Sequence, residues 1–264
     1  MQAGNGSRIF EKGLEILELI AKTPDGITIN ALKESLKLHR TSVYRYLKVL
    51  LNMGYVEKKD TKYVLGPKAL ELASLYLCRL DVRRIAHPHL VQLAEKLHVT
   101  VHLAQLAGPE AIYIDKVETH HSLPLYSRVG RKVPLHCTAL GKALLAFSSP
   151  ERREILLGQL ELKPCTNRTI TDPKRLLLEL EEVRQKGYAV DRGEHEEGIS
   201  CIAAPVFDLT GEVVAALSAT DLSRKILNNE GVYSKEVQRT AQTISRALGW
   251  TKGGGIGRKS EGKE

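Results

Sequence analysis

The 264-residue chain has only four cysteines, Cys78, Cys137, Cys165 and Cys201, and no two of them stand at CxxC spacing. That absence excludes a zinc ribbon and a disulfide framework. There is no HExxH, so the usual single-helix zinc signature is missing as well. No uncharged stretch reaches the roughly 18 residues that a membrane-spanning helix requires. The first residues also lack the form of a signal peptide, because Arg8, Glu11, Lys12, Glu15 and Glu18 interrupt the apolar positions. These absences lead us to expect a cytoplasmic protein with reduced thiols and no membrane partner.

A further absence is local. Between Ser35 and Val56 there is no acidic residue, while Lys37, Arg40, Arg45 and Lys48 all fall there. Residues 1–80 carry 13 Lys/Arg against 8 Asp/Glu, and the remaining 184 carry 26 against 23, so most of the formal net charge of +8 is concentrated at the N-terminal end. An anionic partner is implied for that end. Hydrophobic residues at 42 % and charged residues at 27 % are otherwise those of a soluble chain with a real core.

The basic region reads as three short helices. Leu14, Leu17 and Ile20 recur at helical spacing from Ser7 to Lys22, and Thr23-Pro24-Asp25-Gly26 ends the run. Thr28 is placed to cap a second helix through Leu36, with Ile29, Leu32 and Leu36 on its inner face. A turn at residues 37–39 leads into a third helix, Arg40 to Asn52, with Val43, Tyr46, Leu47 and Leu50 facing inward. Its outer face collects Arg40, Thr41, Ser42, Tyr44, Arg45 and Lys48, the donors that read guanine edges and phosphates in a major groove. YVEKKDTKYVLG then alternates like a hairpin, a basic wing on which Lys58, Lys59 and Lys62 meet phosphate. Two helices, a short turn, an acid-free helix and a basic hairpin, in that order, describe a DNA-binding winged helix-turn-helix. A helix beginning at Pro67 links it to the rest, and another spans about Val82 to His98, kinked or split at Pro88.

From Val99 onward the period changes to two. TVHLAQLAGPEAIYIDKVET reads as a hairpin turning at Gly108-Pro109, and VPLHCTALGKALLAF as a strand entering a helix at Thr138. Helices are expected at 150–158 and 173–187, the second with a stripe of Leu176, Leu177 and Leu180. Strands follow through residue 222, with a turn at 209–212, and Ser234 is placed to cap a final helix to Leu248. Antiparallel strands with added helices make this half α+β. The Gly- and charge-rich residues 251–264 have the composition of a disordered tail.

These pieces assemble a pocket. The amides of Ala139, Leu140 and Gly141 at a helix start attract an anion. Ser218 and Thr220, two apart on a strand, share one face, and Asp191 and Cys201 close the other side. Such a site suits a small carboxylic or hydroxy acid. An alternative is enzymatic: Cys201, with His195 as base, would make a thiol-dependent hydrolase fused to a DNA-binding domain. Against it, Cys201 sits in an apolar run, where burial keeps a thiol inert. His195, Glu194, Asp191, His136 and Cys137 lack any metal-ligand spacing, so neither a metal site nor a cofactor is expected.

Gly187, Asp191, Glu194, Cys201-Ile202-Ala203 and Val206-Phe207-Asp208 match in type and spacing a signature of the IclR family of bacterial transcription regulators. TSVYRYL at 41–47 and TALGKALLA at 138–146 also resemble that family's recognition-helix and pocket-helix motifs. The resemblance, along nearly the whole chain, implies an α+β protein in which a linker helix joins a winged helix-turn-helix to a GAF-like effector domain with an antiparallel sheet. The corresponding boundaries are 1–66, 67–80 and 81–250, with a tail at 251–264. It further implies a regulator that dimerises through its DNA-binding domains, in many relatives pairs again into tetramers, binds palindromic operator DNA and answers to a carboxylic or aromatic acid. Most relatives with this layout repress. The family's effector contacts fall here on Ala139, Leu140, Asp191, Ile199, Cys201, Ser218 and Thr220.

Overall fold

A computed structural model describes residues 5–78, 81–120, 122 and 125–251, with the side chains of 5–8, 77 and 78 left aside. Of the tail expected at 251–264, all but Thr251 lies outside the described residues. The chain divides into two compact units, Met1–Arg79 and Leu80–Glu264.

The first unit runs α1 (Asn5–Ala21), β1 (Ile27–Thr28), α2 (Ile29–Leu36), α3 (Arg40–Asn52), β2 (Val56–Lys59), β3 (Lys62–Leu65) and α4 (Lys68–Cys78). Thr28 caps α2 by accepting from the Ala31 amide, and Lys37 ends it in the left-handed region at φ 53°. That residue forces the sharp turn into α3. Ile16, Ile20, Leu32, Val43, Leu47, Val56 and Tyr63 make one core. The wing is a two-residue hairpin at Asp60-Thr61, and β1, too short to read from sequence, pairs with β3 to complete a three-stranded sheet.

The second unit continues with α5 (Asp81–Leu97), β4 (Thr100–Ala107), β5 (Glu110–Val117), β6 (Lys132–Pro134), α6 (Ala139–Phe147), α7 (Pro150–Gln159), α8 (Pro173–Lys186), β7 (Ala189–Asp191), β8 (Ile199–Phe207), β9 (Val213–Leu222), α9 (Ser223–Asn228) and α10 (Glu230–Ala247). Pro88 neither splits nor ends α5. The six strands form one antiparallel sheet in the order β6-β5-β4-β9-β8-β7. One face carries Val101, Leu103, Ile202, Ala204, Leu217 and Ala219 against Leu90 and Leu93 of α5 and Val237 and Ile244 of α10. The opposite face packs Ala104, Ala203 and Ala216 against Leu140 and Leu144 of α6, with α8 behind it.

Two expectations are corrected here. Ser234 does not cap the last helix; it lies inside α10 and donates to the Gly231 carbonyl, while α9, unforeseen, precedes it. Leu177 is exposed, and the inner stripe of α8 is Leu176, Leu180 and Val183, at the helical spacing that a run of three leucines obscures.

Gly141 holds α6 in place. A Cβ there would meet the backbone of Leu135, Cα at 2.4 Å and O at 2.5 Å, as the chain leaves β6. Backbone cannot yield as a side-chain tip does. Gly141→Ala is therefore expected to destabilise the second unit by about 1–3 kcal/mol, read as a lower denaturation midpoint at unchanged slope. An unaltered midpoint would show that α6 can move away from Leu135.

Candidate functional site

In the first unit the outer face of α3 is built as expected. Arg40, Thr41, Tyr44, Arg45 and Lys48 are exposed and Ser42 half-buried, while Val43 and Leu47 are buried beneath them. The two guanidinium groups lie over tyrosine rings: Arg40 is 5.7 Å from the Tyr44 centroid and Arg45 5.7 Å from that of Tyr46. Stacking pre-orients a fork that would otherwise lose rotamer freedom on binding. The N-cap, His39, makes no side-chain cap bond, and its carbonyl accepts from the Ser42 and Val43 amides.

The wing lysines do not share a face. Lys59 and Lys62 stand opposite each other across the hairpin, whereas Lys58 is paired with buried Tyr63 and points the other way. Lys62 also donates to the Asp25 carbonyl at 3.2 Å, which fixes its ammonium.

In the second unit the register brings the polar residues together. Asp191, Cys201, Thr220 and Thr100 form one cross-strand row, and Ala203, Ser218, His102 and Lys116 the next. On the side facing α6, this surface floors a cavity of about 570 Å3 including its open mouth. Ala139, Leu140, Asp191, Ile199, Cys201, Ser218 and Thr220 all line it. Gly141 does not offer its amide, which donates to the Thr138 side chain at 3.1 Å. The donors left at the start of α6 are those of Ala139 and Leu140.

Sequence reading missed His102, Tyr113, Tyr126 and Arg131, which also line the cavity. His102 lies between Thr220 Oγ1 at 3.4 Å and Ser127 Oγ at 2.7 Å, with the Tyr113 ring 4.8 Å from its own. Burial, helped by Lys116, lowers its pKa to about 3, so the imidazole is neutral. Arg131 sets the guanidinium of the cavity wall by donating to the Tyr126 carbonyl at 2.9 Å. Only the β4–β9 pairing, remote in sequence, could have placed His102; Arg131 carried no local signal.

Behind the cavity, fully buried Lys142 donates to Glu194 and Glu179, each at 2.7 Å. The Glu194 amide in turn donates to Asp191 Oδ1 at 2.7 Å. The nucleophile pairing does not form: His195 Nδ1 is 3.9 Å from Cys137 Sγ, and Cys201 Sγ accepts from Thr220 Oγ1 at 3.2 Å. Burial, with Asp191 nearby, pushes the Cys201 thiol up, away from the thiolate a nucleophile needs.

Asp191 is pushed up to about 7, chiefly by burial and secondly by Glu194, against backbone donors and Lys142 that pull it down. Its folded pKa therefore exceeds its unfolded value near 3.8. Between these values the folded chain holds a proton that the unfolded chain releases, so this group's contribution to stability falls as pH rises from about 4 to 7. Asp191→Asn keeps the acceptor for Glu194 and removes the ionisation. The difference in unfolding free energy, variant minus native, is expected to grow in favour of the variant across that window and then level off. Denaturation at stepped pH measures it, and a flat difference would contradict it.

Comparison with known proteins places these two surfaces in a family. Residues 10–60 match the IclR helix-turn-helix domain and residues 74–246 the bacterial transcriptional regulator IclR C-terminal domain. The HTH-type transcriptional regulator KdgR of Dickeya chrysanthemi is 37 % identical over 85 % of this chain and 74 % of its own length. The IclR crystal structure of Thermotoga maritima is 41 % identical at a TM-score of 0.75, covering 92 % of this chain and 99 % of that one. An IclR homolog from Microbacterium hydrocarbonoxydans, solved in complex with 4-hydroxybenzoate, is 26 % identical at a TM-score of 0.80, over 91 % of this chain and 98 % of that one. With a helix-turn-helix unit ahead of an antiparallel sheet that floors a polar cavity, the chain belongs to the IclR family of DNA-binding bacterial transcriptional regulators.

Proposed function

We propose that the chain acts in the cytoplasm as a repressor that binds palindromic operator DNA and is controlled by a small carboxylic acid, aromatic or hydroxylated, in the cavity of the second unit. The convergence of Ala139, Leu140, Asp191, Cys201, Ser218 and Thr220 on one cavity carries the reading. In it, the ligand carboxylate meets the Ala139 and Leu140 amides and the α6 dipole. Ser218, Thr220 and His102 meet a hydroxyl, and Ile199 and Tyr113 pack on an apolar ring. The complex of the Microbacterium homolog with 4-hydroxybenzoate supports this ligand class. The chain is read as non-catalytic because its half-buried Cys201 has a hydroxyl, not a base, as partner.

On DNA, Arg40, Thr41, Ser42, Tyr44, Arg45 and Lys48 contact the major groove, and Lys59 and Lys62, which share a face of the wing, the flanking phosphates. A palindrome needs two copies. Ile9, Phe10 and Leu14 of α1, and Leu70, Leu72 and Leu75 of α4, leave large apolar side chains exposed, which suits a homodimer through the first units. Leu177 and Leu178 on the outside of α8 offer a second apolar patch for a dimer of dimers.

The test is fluorescence anisotropy of the protein on its own upstream DNA, at two salt concentrations, with a panel of organic acids that includes 4-hydroxybenzoate. Specific binding that one acid weakens is the expected result. Equal affinity for unrelated DNA, indifferent to every acid, would sink the reading. Arg45→Ala is expected to cost about 1–3 kcal/mol of operator binding while leaving acid binding intact. Phe10→Glu should shift the sedimenting species toward monomer and weaken operator binding with it; an unchanged dimer would move the interface elsewhere.

A further inference from the structure

Three soft or borderline metal donors outside the assigned pocket contacts converge in the second unit. Cys137 lies just before α6, Cys165 in the segment between α7 and α8, and His195 between β7 and β8. No local spacing announces them. Cys137 Sγ is 3.8 Å from Cys165 Sγ and 3.9 Å from His195 Nδ1, and all three ligand atoms lie within 4.8 Å of one another. In a tetrahedral zinc site, with bonds of about 2.3 Å to sulfur and 2.0–2.1 Å to nitrogen, neighbouring ligand atoms stand about 3.5–3.8 Å apart. Two of the three edges are already within a few tenths of an ångström of that geometry.

The ligand-bearing segments are also fastened to one another. His136 Nε2, beside Cys137, donates to the Lys163 carbonyl at 3.0 Å. The Cys165 amide donates to Thr169 Oγ1 at 3.0 Å, and that hydroxyl donates to the Glu194 carbonyl at 2.6 Å. Thr166 Oγ1 donates to the Gly193 carbonyl at 2.8 Å. Residues next to every ligand are thus held by hydrogen bonds that cross between segments, the kind of outer shell that orients metal ligands.

We propose that Cys137, Cys165 and His195 form a binding site for a thiophilic divalent cation, Zn2+ foremost. Two thiolates and an imidazole select zinc over magnesium or calcium. Each thiol gives up its proton to solvent as the ion binds, with no change of oxidation state. Three protein ligands leave a fourth position for water, on the side where Cys165 is exposed. His195 also lines the ligand cavity, so the ion fastens residues 192–198 against the start of α6. The site rests on its own geometry and stands whether or not the acid-binding reading holds.

The experiment titrates Co2+ into reduced, chelator-treated full-length protein. One equivalent per chain should produce thiolate-to-cobalt charge-transfer absorption in the near ultraviolet and the visible bands of a tetrahedral ion, both abolished by Zn2+. Cys165→Ser and His195→Ala should each weaken binding at least about 100-fold, since loss of an outer-shell partner alone costs 10–100-fold. Cys78→Ser should bind as the native chain does. Cys165 is exposed, and a thermal melt of the metal-free Cys165→Ser protein checks that its fold is intact. Absence of the charge-transfer band would overturn the proposal, as would an unchanged band in Cys165→Ser. Two thiols missing from titration of metal-free protein purified in air without reductant and restored by reductant, with no cobalt band after reduction, would reassign Cys137 and Cys165 to a disulfide formed by air oxidation and overturn it equally.

Discussion

A buried ammonium sets the geometry of the second unit. Lys142 is fully buried in α6, where burial alone would lower its pKa, but Glu194 and Glu179 outweigh that and raise it, so the charge persists. Stranding such a charge by removing a partner costs about 3–5 kcal/mol. Glu194 and Glu179 are therefore held where they are. Through Glu179 the cation ties α8 to α6; through Glu194, whose amide reaches Asp191, it ties the segment after β7 to the same helix. A buried ion cluster adds little net stability compared with apolar packing. Its contribution here is position: the cavity wall at residues 191–196 is set by electrostatics.

The cavity exists because one sheet serves two purposes. Alternation sends Leu217 and Ala219 to the α5/α10 core and Ser218 and Thr220 to the α6 side. A sheet face buried under a helix would ordinarily be apolar throughout, as it is at Ala203 and Ala216, where α6 sits directly on it. Hydroxyls, a carboxyl and a neutral imidazole under cover carry a desolvation cost unless something bonds them. Part of that bonding is internal, through Thr220, His102 and Ser127. The polar groups that open on the cavity distinguish this part of the face from the apolar part under α6.

How much of this was legible follows from how local each feature is. The three helices and the wing of the first unit depend on caps, turns and short periods, and α3 was legible to its residue limits, Arg40–Asn52. That its arginines stack on Tyr44 and Tyr46 was not, because periodicity gives faces but not rotamers. In the second unit, the residues of the pocket floor at 218 and 220 follow from alternation alone. His102 does not, because it joins them only through a pairing between strands more than a hundred residues apart. Ser234 misled because a serine before an apolar run resembles a cap wherever it stands; in fact the helix had begun at Glu230. That Cys165 stands beside Cys137 was not legible, because its segment has no regular element and no period tells which side chains meet there.

A ligand shifts DNA binding only through its differential affinity for two arrangements of the chain, so the part of the cavity able to adopt two arrangements matters most. The sheet floor is paired on both sides, and α6 is fixed by Gly141 against Leu135 and by Lys142 in its ion cluster. The remaining walls are the irregular segments around 125–131 and 192–198. Residues 192–198 turn on Gly193 and Gly198, both at positive φ, and are otherwise fastened by Glu194 and the two threonines. Residues 125–131 are tied at their end by backbone bonds of Gly130 and Arg131 with Tyr113, and before that by side chains alone, Lys116 donating to the carbonyls of Leu125 and Ser127 and His102 bonding Ser127 Oγ. Tyr126, at the cavity mouth, is 93 % exposed. An aromatic ring left in water beside a polar cavity would gain by burial if its segment closed on the acid proposed for that cavity. In the acid-controlled repressor proposed above, the leverage of the effector would therefore lie in the irregular wall that bears Tyr126 and Arg131, beside the Ala139 and Leu140 amides that meet the carboxylate.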